Sequence, residues 1–207
     1  MTAHAHPRWQ RTQRTTLVES EWIKHHLDTI TLPSGKSIDF HAIEFPMLVA
    51  GVIPVGVDGR ILLTMQYRYM VDAFGWEIPA GNIPPGEDLA EGARRELIEE
   101  TGHDAPILEP LYNFHPQIGR SNHHFHLFVA RDAHKISDTI DNDEVAAVRW
   151  FALDELEQML RTNELRDGFT ALAVLLYRFL RPSPSAVAPR VRCTTARSEG
   201  NADPQIG

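Results

Sequence analysis

The spacing of apolar positions changes several times along the chain, and each change marks an element. From Trp22 to Leu32 apolar and polar residues roughly alternate, Pro33-Ser34-Gly35-Lys36 interrupts, and the alternation resumes over Ser37–Phe45. A period of two sends successive side chains to opposite faces of a strand, and Pro-Ser-Gly supplies turn geometry, so two antiparallel strands are expected. Met47–Val57 and Arg60–Tyr67 repeat the pattern around Asp58-Gly59, a hairpin signal. Residues 76–86 are dense in Pro and Gly, which predicts a break in regular structure. Asp88–Thr101 lacks Pro, is rich in Ala, Leu, Glu and Arg, and meets Gly102 as a stop, which predicts a helix. Leu108–Phe114, His124–Ala130 and Ala146–Phe151 read as strands, and Asp154–Leu160 and Gly168–Leu180 as helices. Strands before, between and after the helices predict an α/β fold, a mixed sheet with helices packed on it, preceded by a small antiparallel sheet over residues 17–46.

The ends have a different texture. Residues 1–16 carry His, Arg, Thr and Gln without apolar periodicity and are expected to form a flexible arm. Residues 182–207 hold few large apolar side chains and are expected to be a disordered tail, leaving 17–181 as the folded domain. No repeat of solenoid type occurs.

Composition narrows the classes. The 207 residues are 43% hydrophobic, enough for one full core, and carry a formal net charge of −8. One cysteine, Cys193, excludes an intramolecular disulfide and a cysteine-based zinc site and favours a cytoplasmic setting. The apolar runs are far shorter than the about 20 residues of a membrane span, and no apolar stretch follows the basic residues near the N-terminus, so neither a membrane anchor nor a signal peptide is expected. Without a basic stripe, nucleic acid is a poor partner, and any phosphate chemistry needs metal ions or a few local arginines.

Chemistry concentrates at residues 81–102. On a helix Glu96, Glu99 and Glu100 stand at i, i+3 and i+4, so three carboxylates share one face within a turn. Like charges this close repel unless a cation sits among them. Arg95 serves one flank, and Mg²⁺ or Mn²⁺ suits a cluster of oxygen donors. Glu87 falls where the helix begins. A solvated amphipathic helix would also carry Glu-Glu pairs, but this one is entered through a Gly/Pro-rich loop able to bring a backbone carbonyl to the carboxylates.

These residues resemble the signature of the Nudix hydrolases: Gly, five residues, Glu, seven residues, then Arg-Glu-apolar-any-Glu-Glu-any-Gly-apolar. Gly81, Glu87, Arg95, Glu96, Leu97, Glu99, Glu100 and Gly102 meet it in register, and His103 departs from it at the last, apolar position. The resemblance implies an α/β/α sandwich and a metal-dependent hydrolase of a nucleoside diphosphate linked to another moiety. It implies Glu96, Glu99, Glu100 and the Ala80 carbonyl as metal ligands or organisers of metal-bound water, with Arg95 and Glu87 orienting them. Such an ion neutralises pyrophosphate charge and lowers the pKa of an attacking water.

Neighbouring residues point to one branch. Glu77-Ile78-Pro79-Ala80-Gly81 resembles the lead-in of ADP-ribose and nucleotide-sugar pyrophosphatases, and Gln66-Tyr67-Arg68 and Pro116 resemble features found there. Arg68 and Glu77 become substrate-binding candidates, Arg68 because a planar fork of donors suits phosphate. Arg120 and Ser121 lie in a loop where relatives often carry a Glu and His123 stands instead; they are candidates for a phosphate or ribose, or members of an exposed polar loop. In Asp141-Asn142-Asp143-Glu144, the dense acidic loop of this region, Glu144 is the choice for a further metal or water contact. His115, His123, His124 and His126 raise a rival histidine metal site without a clear third ligand. The branch implies a homodimer joined through the N-terminal region, with Trp9, Trp22, Phe40 and Phe45 as aromatic residues there. Rival functions are hydrolysis of another nucleotide, such as a modified triphosphate or a dinucleotide, and a nucleotide-sensing module that keeps the fold without the reaction.

Overall fold

The computed structural model describes residues 7–141 and 143–180. The chain starts as a three-stranded antiparallel sheet of β1 (Gln10–Glu19), β2 (Lys24–Thr31) and β3 (Ser37–Glu44), in that order. The flexible arm expected over residues 1–16 is therefore corrected from residue 10 onward. β1 is almost wholly exposed, so it lacks the apolar alternation by which strands are read; it is held by its ladder to β2 and by ion pairing. Arg14 reaches both carboxylate oxygens of the buried Asp28 at 2.7 and 2.8 Å and also pairs with Glu44.

The larger sheet contains β4 (Leu48–Val55), β5 (Ile61–Arg68), β6 (Ala73–Glu77) and β7 (Ala80–Ile83). After α1 (Leu89–Thr101) and the short β8 (His103–Asp104) come β9 (Ile107–Phe114), β10 (Phe125–Arg131), the short β11 (His134–Lys135) and β12 (Val145–Phe151). The helices α2 (Leu153–Arg161) and α3 (Gly168–Leu180) close the described chain. The sheet order is β12-β5-β4-β10-β9, with β6 paired to β5 and β7 to β4, and β4 and β10 run parallel while the other pairs are antiparallel. A mixed sheet with helices on both faces is the sandwich expected from the sequence.

Alternation in the central strands builds the two cores. Ile53, Val55, Phe125, Leu127 and Val129 face α2 and α3, whereas Ala50, Val52, Phe128 and Ala130 face α1. Because both faces are covered, these strands read as nearly continuous apolar runs. The break expected over residues 76–86 is half right. Pro79 and the Pro84-Pro85 pair interrupt the chain, but Ala80–Ile83 between them pairs with β4, a tertiary contact that overrides local composition.

Helix α1 is bounded as its sequence predicts. Asp88 caps the N-terminus, its carboxylate accepting from the N–H groups of Ala90 and Glu91 at 2.9 and 3.2 Å. Gly102 ends it at φ +66, and a Cβ there would strike the Ser137 carbonyl, so only glycine fits. The Gly102 carbonyl accepts from Ile136 and Ser137, tying the segment that leads to Glu144 to the end of the helix. His103 lies buried edge-on to Trp150, with ring centroids 5.5 Å apart; it fills the apolar position by packing. Among the described residues no helix is long and apolar enough to cross a membrane. The expected tail and Cys193 lie outside the described residues.

Candidate active site

Register alone brings the carboxylates of α1 to the sheet. β7 lies beside the helix, and a Cβ on Gly81 would fall on the Glu96 carboxylate. Glycine here lets backbone and carboxylate meet. One turn on, Glu100 is 3% exposed; its Oε1 accepts the Ala80 N–H at 3.3 Å and its Oε2 accepts Gln66 Nε2 at 2.9 Å.

Arg95 organises the outer side. Nε and Nη2 donate to the two oxygens of Glu87 at 3.0 and 3.1 Å, Nη1 donates to Glu96 at 2.8 Å and Glu99 at 3.0 Å, and Nη2 reaches the Asn82 carbonyl at 3.3 Å. One guanidinium thus links the loop before the helix, through Glu87 and the Asn82 carbonyl, to two carboxylates of the helix, Glu96 and Glu99, a task for a planar fork and not for lysine. The hydrogen bond to Glu87 leads the causes that push Arg95 above its ordinary value, and the same bond lowers Glu87.

The inner carboxylates are perturbed the other way. Burial pushes Glu100 up to about 8, with Glu96 and Glu144 adding to the rise and the Ala80 N–H and Arg68 opposing it. Burial also raises Glu96, against the pull of Arg95 and with Glu99 and Glu144 contributing. Glu144 therefore stands near enough for its charge to be felt by both, on the acidic loop singled out in the sequence.

This donor set fits a divalent ion. Two desolvated carboxylates, a third neighbouring anion and a strand backbone opened by glycine form an anionic, oxygen-rich patch that a hard cation would neutralise. As the side chains stand, no three His, Cys, Asp or Glu among the described residues are grouped closely enough to hold an ion, and Glu99 is turned to Arg95.

Beside the carboxylates lies a cavity of about 160 Å³ lined by Arg68, Glu77, Ala80, Gly81, Asp167 and Phe169, among others. Arg68 Nε donates to both oxygens of the buried Glu77 at 2.9 and 3.1 Å. Both are substrate-binding candidates in the sequence, and here they line one cavity as an ion pair. A second cavity of about 210 Å³ also touches Val49 and Asn82, and is walled by Trp22, Phe45 and His123. There the His123 ring stacks on Phe45, centroids 4.3 Å apart.

Arg120 and Ser121 go elsewhere. The Arg120 carbonyl accepts the Ile43 N–H at 2.9 Å and Ser121 bridges Ile43, so their loop is committed to β3 and neither residue lines these cavities. The His115 ring stacks on His124 and the His126 ring lies tilted against His124, at 4.3 and 4.2 Å between centroids, and among the described residues the three are not grouped to hold an ion. The sequence reading missed Asp167, Phe169 and the role of Gln66. Asp167 could have been found as the cap of α3, since its carboxylate accepts the Thr170 N–H at 2.7 Å.

The family description "NUDIX domain" matches residues 46–172. The chain is 30% identical over 151 residues to the ADP-ribose pyrophosphatase of Bacillus subtilis (strain 168), covering 72% of this chain and 81% of that one. It is 28% identical over 169 residues to the CMP-5'-(N-acetyl-N-hydroxy-3-aminopropyl)phosphonate hydrolase of Streptomyces rubellomurinus (strain ATCC 31215), covering 81% of each. A crystal structure of an ADP compounds hydrolase superposes with a TM-score of 0.77 at 20% identity, over 86% of this chain and 96% of that one, a likeness of fold.

Proposed function

The chain belongs to the NUDIX family of hydrolases acting on phosphorus-containing anhydrides, and from that premise we propose that it splits the pyrophosphate of ADP-ribose or a related nucleoside diphosphate sugar. Water adds across the P–O–P bridge, and the products are a nucleoside monophosphate and a sugar phosphate. The observation that carries this reading is the adjacency of two features. The Arg68–Glu77 pair lines the same cavity as Ala80 and Gly81, whose backbone lies against the Glu100 and Glu96 carboxylates.

Each residue then has a task. Arg68 binds phosphate oxygens, the role for which an arginine fork is suited, and Glu77 holds that fork across the cavity. Glu96, Glu99, Glu100 and the Ala80 carbonyl would hold Mg²⁺ or Mn²⁺, which when bound screens the pyrophosphate charge and acidifies a water. Arg95 and Glu87 keep Glu96 and Glu99 in place. Glu144 is the proposed acceptor of the water's proton, since its charge already reaches the Glu96 and Glu100 carboxylates. The Phe45–His123 stack, with Trp22 beside it, offers flat apolar surface for a nucleobase, and burial lowers His123, which favours the neutral ring.

A homodimer is part of the same proposal. The tip of the β5–β6 hairpin carries Tyr69, Met70, Val71 and Phe74 at 81, 87, 71 and 64% exposure, immediately beyond Arg68, and Trp9, Leu17, Val18 and Trp22 are exposed on the N-terminal sheet. Apolar surface of this kind next to a polar cavity fits a second copy of the chain. A nucleotide sugar, met inside the cell, fits the expected cytoplasmic setting.

The test is product detection across ADP-ribose, ADP-glucose, GDP-mannose, NADH, a dinucleoside polyphosphate and 8-oxo-dGTP, with Mg²⁺, with Mn²⁺ and with EDTA. A nucleotide sugar should lead and EDTA should abolish turnover. A lead for 8-oxo-dGTP or the dinucleotide would move the substrate to the rival class, and metal binding without turnover of any substrate would favour a sensing module.

A further inference from the structure

The link between β6 and β7, Glu77-Ile78-Pro79-Ala80, carries both halves of the candidate site, and four different elements hold its backbone. The Glu77 carbonyl accepts from Thr64 Oγ1 at 3.2 Å, the Pro79 carbonyl accepts the Val52 N–H at 2.9 Å, and the Ala80 N–H donates to Glu100 at 3.3 Å. Those three partners belong to the central sheet and to α1. The fourth comes from α3: the Ile78 N–H donates to Thr170 Oγ1 at 3.0 Å, across 92 positions of sequence.

Thr170 is fully buried, and its hydroxyl is committed at both ends. It donates to Asp167 Oδ2 at 2.7 Å, which leaves a lone pair directed to the Ile78 amide. Asp167 also accepts the Thr170 N–H at 2.7 Å, lines the cavity with Arg68 and Glu77, and its charge is felt at Arg68. A helix cap needs only the first of these contacts. The hydrogen bond that the hydroxyl accepts from the buried Ile78 amide, two residues from Ala80, has no use in capping α3.

We infer that Thr170, oriented by Asp167, is a positioning residue of the hydrolytic site: its hydroxyl fixes the 77–80 link, and through it the Glu77 side chain against Arg68 and the Ala80 backbone against Glu100. Val in place of Thr keeps shape and removes both the donor and the acceptor, leaving the buried Ile78 N–H unpaired. Ser keeps the hydroxyl and loses a methyl group. The two variants therefore separate hydrogen bonding from packing.

The experiment uses the full chain and two readouts, amide hydrogen exchange at Ile78 and Ala80 and steady-state hydrolysis of ADP-ribose with Mg²⁺. In Thr170→Val, exchange at Ile78 should rise about tenfold or more, beyond any change in global protection, and kcat should fall by about tenfold with KM changed less. Thr170→Ser should restore both readouts. Unchanged Ile78 exchange in Thr170→Val, wild-type kcat in that variant, or equal damage in Thr170→Ser would overturn the inference. Should Thr170→Val not fold, Asp167→Asn, which keeps the side chain's shape and weakens the acceptor that orients the hydroxyl, should still speed Ile78 exchange by about threefold, and no change there would count against Thr170. The kinetic arm rests on the hydrolase reading above. If the wild-type chain turns over no nucleotide of the panel, that reading fails alone, and the exchange arm still decides for or against the hydroxyl.

Discussion

Glu100 offers the sharpest test of the site, because replacing it with Gln should have opposite effects on stability and on activity. The carboxyl is 3% exposed and lifted from its ordinary 4.5 to about 8, chiefly by burial. One pKa unit between folded and unfolded states is about 1.4 kcal/mol, so a displacement of this size is worth roughly 3–5 kcal/mol. The raised value means that the folded chain keeps a proton which the unfolded chain has released. Its stabilising share is fully present below about pH 4.5 and disappears as pH climbs to about 8, so metal-free stability should fall across that window. Gln removes the titration and can keep the geometry. Its carbonyl can accept the Ala80 N–H, and Gln66 can turn its amide to accept from the new NH₂ at the cost of its 3.3 Å bond to Thr64.

Urea unfolding in EDTA, at one protein concentration, should find Glu100→Gln within about 1 kcal/mol of wild type near pH 5 and more stable by roughly 3 kcal/mol near pH 8.5. Saturating Mg²⁺ or Mn²⁺ should reverse the order. A ligand of the folded state stabilises it in proportion to its affinity, and the variant has lost an anionic donor. Under the same conditions kcat should drop on the order of 10²-fold or more. A stability gap that does not move with pH, or equal stabilisation of both proteins by metal together with near-normal turnover, would refute the reasoning.

Two further perturbations address neighbouring contacts. Gly81→Ala puts a methyl group on the Glu96 carboxylate; a flexible side-chain end yields cheaply, so thermal unfolding should change little while kcat falls on the order of 10²-fold, and full activity would separate Glu96 from the reaction. Arg68→Ala should raise KM about tenfold or more with kcat changed far less, and it leaves the buried Glu77 without its partner, so a lower melting temperature should accompany it; an unchanged KM would make Arg68 a structural residue.

The parts of the molecule legible in the sequence are those whose cause is local. α1 could be bounded because its cap Asp88, its carboxylate face and its stop Gly102 lie within one run of chain. The orienting roles of Arg95 and Glu87 followed from the likeness of residues 81–102 to the Nudix signature, itself one continuous run of chain. The same holds for the Asp58-Gly59 hairpin and for α3. β1 was hidden because it is made by a neighbour. Its residues are exposed, and only pairing with β2 and the reach of Arg14 to Asp28 and Glu44 give it a place.

The site divides along the same line. Its anionic half sits on one helix and announces itself by spacing, whereas its positioning half depends on chain segments far apart in sequence. Gln66 meets Glu100, Asp167 comes to line the cavity of Arg68, and Thr170 reaches Ile78, each through packing that no local pattern encodes. Arg120 and Ser121 show the converse. Their residue types suit a phosphate, but the backbone of their loop bonds to Ile43 and neither residue is in the lining of the two cavities. Residue type therefore locates where charge can be placed, and the hydrogen-bonding demands of buried backbone decide which of those charges face the cavity. That is why Thr170, an uncharged residue outside the signature, is the position from which the placement of the charged ones can be tested.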